Sequence, residues 1–164
     1  PRRVVNGWDY NRLLQLLAVL EKRAQLSLCR LDVYVNIVGG MDFSDPAGDL
    51  GIALAVATSF LDRSIDPGLV AVGEVGLTGE IRPVINLAQR LKEAHRLGFT
   101  KALVPRVNLP LSGVPKGLEV IGVESISEAL NYAIPSIDKQ TLKDKASQEQ
   151  VLTRELELEL NKLG

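Results

Sequence analysis

GEVGLTGEIRPV, from Gly73 to Val84, places three glycines and a proline within twelve residues. Gly76-Leu77-Thr78-Gly79 carries the composition of a tight turn, and Glu80-Ile81-Arg82 begins a strand behind it. With the short apolar run Leu69–Gly73 as the other arm, the stretch predicts a hairpin. A helix is predicted downstream over Leu87–Leu97, where Gly98 supplies the stop. Upstream, GIALAVATSFL from Gly51 to Leu61 is apolar nearly all round and predicts a buried central helix running to about Asp62. Asp45-Pro46 would open that helix, Asp as cap and Pro in the first turn.

Beyond this centre the same signals recur. Leu13, Leu14, Leu17, Leu20 and Ala24 repeat at helical spacing behind Asp9, a plausible cap, and predict a helix from about Asp9 to Ala24. In Leu31–Val38, the residues Leu31, Val33, Val35 and Ile37 alternate with Asp32, Tyr34 and Asn36, the pattern of a half-buried strand. Ala102–Val104 and Leu118–Val123 read as further strands, with an irregular Pro- and Gly-rich loop from Pro105 to Gly117 between them. Ser125, three residues before Glu128, predicts a capped helix to Ala133. Strands mixed with helices, and a hairpin among them, indicate an α+β domain over residues 1–135. Residues 136–164 are densely charged and read as a tail, either solvated or helical, with Leu152, Leu156, Leu160 and Leu163 along one side.

The bulk composition narrows the function classes. Hydrophobic residues make up 46% of the 164-residue chain and aromatics only 4%, so aliphatic side chains must build the core. Nineteen basic residues against 20 acidic ones give no global basic footprint, although a local patch or binding by several copies stays open. Cys29 is the only cysteine, which excludes an intrachain disulfide and a cysteine-rich zinc site. No apolar run approaches the roughly 18 residues that span a bilayer, and no h-region follows Pro1-Arg2-Arg3-Val4-Val5. The phosphate-loop pattern G-x-x-x-x-G-K-[ST], G-x-G-x-x-G and H-E-x-x-H are all missing. His95 is the sole histidine and has no second one with which to share a metal.

Two groups of residues remain as candidates. Asp45, Asp49 and Glu74 are carboxylates close to predicted element ends. Asp45 and Asp49 are four apart and would share a helix face, a conceivable metal pair, while capping and the helix dipole explain them more cheaply. Arg82, Arg90, Lys92, Arg96, Lys101 and Arg106 fall close together in the chain. They form either a solvated surface or a stripe that contacts phosphates. On the sequence alone, Arg90 has Asp49 as an internal partner, while Arg96 and Lys101 have none.

The Gly73–Val84 string resembles the G-E-[VI]-x-L-x-G-x-[IV]-x-P-[IV] signature of the Lon protease domain. VNIVGGMDFSDPAGDLGIALAVATS (Val35–Ser59) is similar to the strand, loop and active-site helix of that family, and RLKEAHRLGFTKALVPRVN (Arg90–Asn108) to the helix and strand after its catalytic lysine. The VNGWDYNRL opening and VNIVGG are most similar to the RadA (Sms) family of DNA repair proteins. The likeness spans about Val4–Ala133. It implies the ribosomal protein S5 domain 2-like α+β fold. Lon proteases use a Ser-Lys dyad; gapless superposition on Gly73-Glu74 puts Ala47 at the serine and Arg90 at the lysine, and a two-residue shift would put Asp49 at the serine. An alanine has no nucleophilic atom, and an arginine keeps its proton at ordinary pH. The alternative, a remodelled serine peptidase, would have to use Ser44.

The resemblance further implies a C-terminal segment whose four-cysteine zinc motif, ATP and Mg²⁺ sites lie in a missing N-terminal part. No cofactor or metal is expected in the segment itself. Expected partners are DNA, single-stranded or branched, and further copies of the chain in a hexameric ring that acts in recombination. A bacterial cytoplasm is the implied location, with a plant organelle as the alternative.

Overall fold

The computed structural model describes residues 1–40, 42–135 and Ser147, so the leucines expected on a tail helix lie outside the described residues. The chain opens with β1 (Arg3–Asn6), too short to carry a sequence signal, and α1 (Tyr10–Ala24). Asp9 caps α1 by accepting the Arg12 N–H at 2.7 Å. Leu13, Leu16, Leu17 and Leu20 bury the inner face of α1, and Gln25 ends it in the left-handed conformation. Trp8, between β1 and α1, packs into the same core; its Nε1–H meets no acceptor among the described residues.

β2 (Val33–Asn36) pairs in parallel with β1, Val5 opposite Val35. Its expected alternation is present: Val33 and Val35 turn inward, Tyr34 and Asn36 outward. A 3-10 turn (Pro46–Gly48) then leads into α2 (Asp49–Leu61). Asp45 caps this turn, as the sequence predicted for a helix, but the intervening turn separates Asp45 from Asp49, so the two do not form a one-face pair. The α2 helix is less enclosed than its composition suggested. Leu50, Ala53, Leu54, Ala57 and Leu61 are buried, whereas Ala55 and Ser59 are exposed and Ile52 and Val56 half-buried.

The hairpin exists, with a different first arm from the one expected. β3 (Leu69–Ala71) joins β6 (Lys101–Pro105) and β7 (Glu119–Val123) in a parallel sheet of order β3-β6-β7. The hairpin itself is β4 (Glu74–Val75) against β5 (Ile81–Arg82). The chain changes sheets at Gly73, whose N–H bonds Ala47 O at 2.9 Å and whose carbonyl accepts Leu50 N–H at 3.0 Å. These bonds hold the root of the hairpin against the start of α2. Gly79 closes the turn at φ +84°, where a side chain would be strained.

Helix α3 (Leu87–Arg96) follows β5, and α4 (Ile126–Ala133) ends the described domain. Ser125 caps α4 by accepting the Glu128 N–H at 3.1 Å. Glu128 reaches back one residue beyond the expected capping box, to the Glu124 N–H. The result is a mixed assembly of helices and small, mostly parallel sheets. Its larger core lies between α1, α2, α4 and the first sheet. A smaller one lies between α3 and the three-stranded sheet, around Leu87, Leu91, Ala102 and Val104.

Candidate functional site

The positions that the family pattern assigns to a serine and a lysine meet on one carboxylate. Asp45 precedes the 3-10 turn in an extended conformation, so its side chain folds back over the turn. One oxygen accepts the Ala47 N–H at 3.0 Å, and the other accepts Arg90 Nη2 at 2.6 Å. Arg90, in the first turns of α3, also donates Nε to the Ile85 carbonyl at 3.0 Å. Foremost the Ala47 amide, and then Arg90, hold the Asp45 carboxyl below its ordinary value against the opposing effect of partial burial. Ala47 is itself buried and contributes only its backbone. At these two positions there is neither a nucleophilic atom nor a group able to take up a proton.

A second, deeper ion pair lies beside the first. Asp49, in the first turn of α2, is only 1% exposed. Arg12 Nε of α1 donates to one of its oxygens at 2.8 Å, Arg12 Nη2 donates to the other, and the Val75 N–H of the hairpin reaches that second oxygen at 3.1 Å. Glu74 stands 3.7 Å from the same guanidinium. One charge pair therefore ties α1, α2 and β4 together. The expected Arg90–Asp49 pair does not form, because Arg12 occupies Asp49 and Asp45 occupies Arg90. Arg12 showed in the sequence only as a polar residue among leucines, and its partner is 37 positions away. Ser44 is exposed in the loop before the turn, and His95 is half-buried on α3 with its Nδ1 unpartnered among the described residues.

The basic residues do not gather into one stripe. Arg96 pairs with Glu93 (Nε to Oε2, 2.8 Å) and Lys101 with Asp66 (3.1 Å), so neither is the unpartnered cation expected. Glu93, three residues earlier on α3, was open to sequence reasoning, whereas Asp66 lies 35 positions from Lys101 in the loop before β3. Arg82 pairs with Glu80, two residues earlier on the same arm of the hairpin, at 3.0 Å. Arg106, beyond the far end of β6, pairs with Glu124 at 3.1 Å and with Glu128. Lys92 has no ion pair among the described residues, nor have Arg2, Arg30 and Arg63, which sequence reasoning passed over.

A family model described as subunit ChlI of Mg-chelatase matches residues 16–108, more than half of the chain. The chain is also similar to proteins named DNA repair protein RadA. It is 44% identical over 151 residues to that of Synechocystis sp., covering 92% of this chain and 30% of the relative. It is 46% identical over 134 residues to that of Bacillus subtilis, covering 82% and 29%. It is 44% identical over 131 residues to that of Escherichia coli K12, covering 80% and 28%. The chain belongs to the ChlI domain family and to the RadA family. It spans about 30% of the length of its RadA relatives, at their C-terminal end. Among the described residues of this RadA-family chain, no helix is long and apolar enough to cross a membrane.

Proposed function

We propose that this chain is the non-proteolytic, Lon-protease-like domain of a RadA-type DNA repair ATPase, with the S5 domain 2-like fold, and that it supports ring assembly and DNA binding during branch migration. The observation that carries the reading is the occupation of Asp45 by the Ala47 amide and the Arg90 guanidinium. Two positions that would perform peptide hydrolysis instead brace the turn before α2. In this reading ATP, Mg²⁺ and a structural zinc belong to the part of the relatives that this chain does not span. The domain's role is to hold several ATPase units in register and to present cations from each copy. Multiple weak contacts from a hexameric ring relax the demand on each subunit, which suits a net charge of −1. Lys92 is free to meet a phosphate, and Arg82, Arg96, Lys101 and Arg106 sit in exposed pairs weak enough to be exchanged for one; Arg90 is bound more firmly and serves the turn. This domain acts in the cytoplasm of a bacterium.

Light scattering and DNA binding measured on the same preparation test this reading. An oligomer whose affinity for a single-stranded oligonucleotide falls steeply with salt is expected. A strict monomer, or an oligomer that ignores the oligonucleotide even at low salt, overturns it. Peptide turnover that disappears on Ser44→Ala would establish the peptidase instead.

A further inference from the structure

The pattern of β2 is the same read in either direction. Val33, Val35 and Ile37 alternate with Tyr34 and Asn36, symmetrically about Val35. The strand pairs with β1 alone, through Val33 N–H to Arg2 O (2.9 Å) and Ile37 N–H to Asn6 O (3.0 Å). Backbone groups alternate in direction along a strand, so the N–H and C=O of Tyr34 and Asn36 point away from β1. They face an edge with no partner among the described residues. Nothing blunts that edge, because residues 33–37 hold no proline and no charge. Tyr34 stands 62% exposed on it. Between the strand and the half-exposed side of α2 lies an apolar groove of about 1080 Å³. Gly51, Ala55 and Ser59, four apart on α2, line it with small side chains and leave room for a second helix alongside.

An isologous contact requires a surface that is its own complement. The edge of β2 meets that condition. When two copies lie antiparallel about a two-fold axis at Val35, Tyr34 of each faces Asn36 of the other. These are the residues with outward backbone groups, so each such pair exchanges two hydrogen bonds. On the groove side Val35 faces the second Val35 and Val33 faces Ile37, so apolar side chains meet apolar ones. No charge stands within the paired stretch, so none is repelled or stripped of water there. The axis is normal to the sheet, which brings the two α2 helices side by side beneath it. Fourteen residues line the groove in each copy, against about 20–30 a side in a standard interface. The contact is therefore weak and follows concentration.

We infer that two copies of this chain associate through their β2 edges, antiparallel about Val35. The contact forms one four-stranded sheet, β1-β2-β2-β1, over a pair of α2 helices. It is separate from the six-fold assembly proposed above, so it is tested at these residues and not by mass.

Amide hydrogen exchange on the full chain at several protein concentrations gives the first test. Protection of Tyr34 and Asn36 is expected to grow about tenfold from dilute to concentrated samples, while Ala102 and Leu103 in the central sheet stay unchanged. Asn36→Pro removes an outward N–H without losing a bond to β1. It should abolish the concentration dependence at Tyr34, with Ala102 and Leu103 reporting that the variant is folded. Cross-linking gives the register. Tyr34→Cys and Asn36→Cys, each combined with Cys29→Ser, should form a disulfide on oxidation when mixed and little when alone. Opposed Cα atoms lie about 5.5 Å apart in such a pair, whereas diagonal ones lie about 7–8 Å apart, beyond the reach of the bond. Protection that does not depend on concentration would assign the edge to another part of the same chain. Fast exchange at every concentration would show the edge open. Either result overturns the inference, and so does equal cross-linking of the single and mixed variants.

Discussion

Asp49 shows how one charge can bind three elements at the cost of dehydrating it. Its pairing with Arg12 and the Val75 amide satisfies both oxygens, so removing one partner strands a buried carboxylate. Breaking a buried pair typically costs about 3–5 kcal/mol; Arg12 is a quarter exposed, which places Arg12→Ala toward the lower end. A denaturant titration checks this, and a loss well under about 1 kcal/mol would class the pair with ordinary surface contacts. Replacing both residues together by leucine should recover much of the loss, because no charge is then left without a partner. Sequence reasoning saw Asp49 but not its role. Position within a helix can be read from spacing, whereas a partner 37 residues away depends on how α1 packs across α2.

At the scale of elements, the hairpin and α4 give separate tests. Glu80 accepts from the Thr78 hydroxyl and N–H and from Arg82, and the Thr78 hydroxyl foremost lowers its pKa to about 2. A carboxyl depressed in the folded state stabilises above its unfolded pKa and loses that contribution as pH falls through the folded value. The hairpin's share of stability should therefore fade between about pH 4.5 and 2. Glu80→Gln should flatten that part of the stability–pH curve; an unchanged curve would show that the turn does not depend on the ionised group. Ser125→Ala should cost about 1 kcal/mol as a lost cap, read from thermal or denaturant unfolding. Elements specified by neighbouring residues were legible: the Asp9 and Ser125 caps, the alternation in β2, and the Gly76–Gly79 turn. Pairings between distant elements were not. Four residues of β1 carry too little pattern to predict a strand, and Leu69–Ala71 reads alike as a hairpin arm or as a buried parallel strand. Only the tie of Gly73 to Ala47 and Leu50 decides between them.

For the whole molecule, the distribution of cations governs how it would meet a polyanion. Positive charge is dispersed, and within the Arg82–Arg106 cluster every cation but Lys92 is in an ion pair, so no single substitution should abolish DNA binding. Arg96→Ala combined with Lys101→Ala should weaken binding for all sequences alike and reduce the salt slope by one to two, at roughly 0.7–0.9 for each lost phosphate contact. Lys92→Ala alone should remove about one contact of that size, with no carboxylate competing for it. Anisotropy titrations over a range of salt concentrations measure both, and unchanged slopes in folded variants would move the contact surface away from α3. That Ala47 and Arg90 fall at the positions the family pattern gives to a serine and a lysine was legible from the motif spacing alone. The neutralisation of the basic cluster was legible only in part: Glu93 and Glu80 stand three and two residues from Arg96 and Arg82, whereas Asp66, Glu124 and Glu128 become partners of Lys101 and Arg106 only through the fold.

Trp8 is the only tryptophan in the chain, and it is enclosed where β1 passes into α1. An indole in apolar surroundings, with no acceptor on its nitrogen among the described residues, emits at shorter wavelength than one in water. The protein thus has a built-in optical probe of a single junction. A red shift in its emission would signal that α1 has come away from the core, in the unaltered sequence and without any added dye.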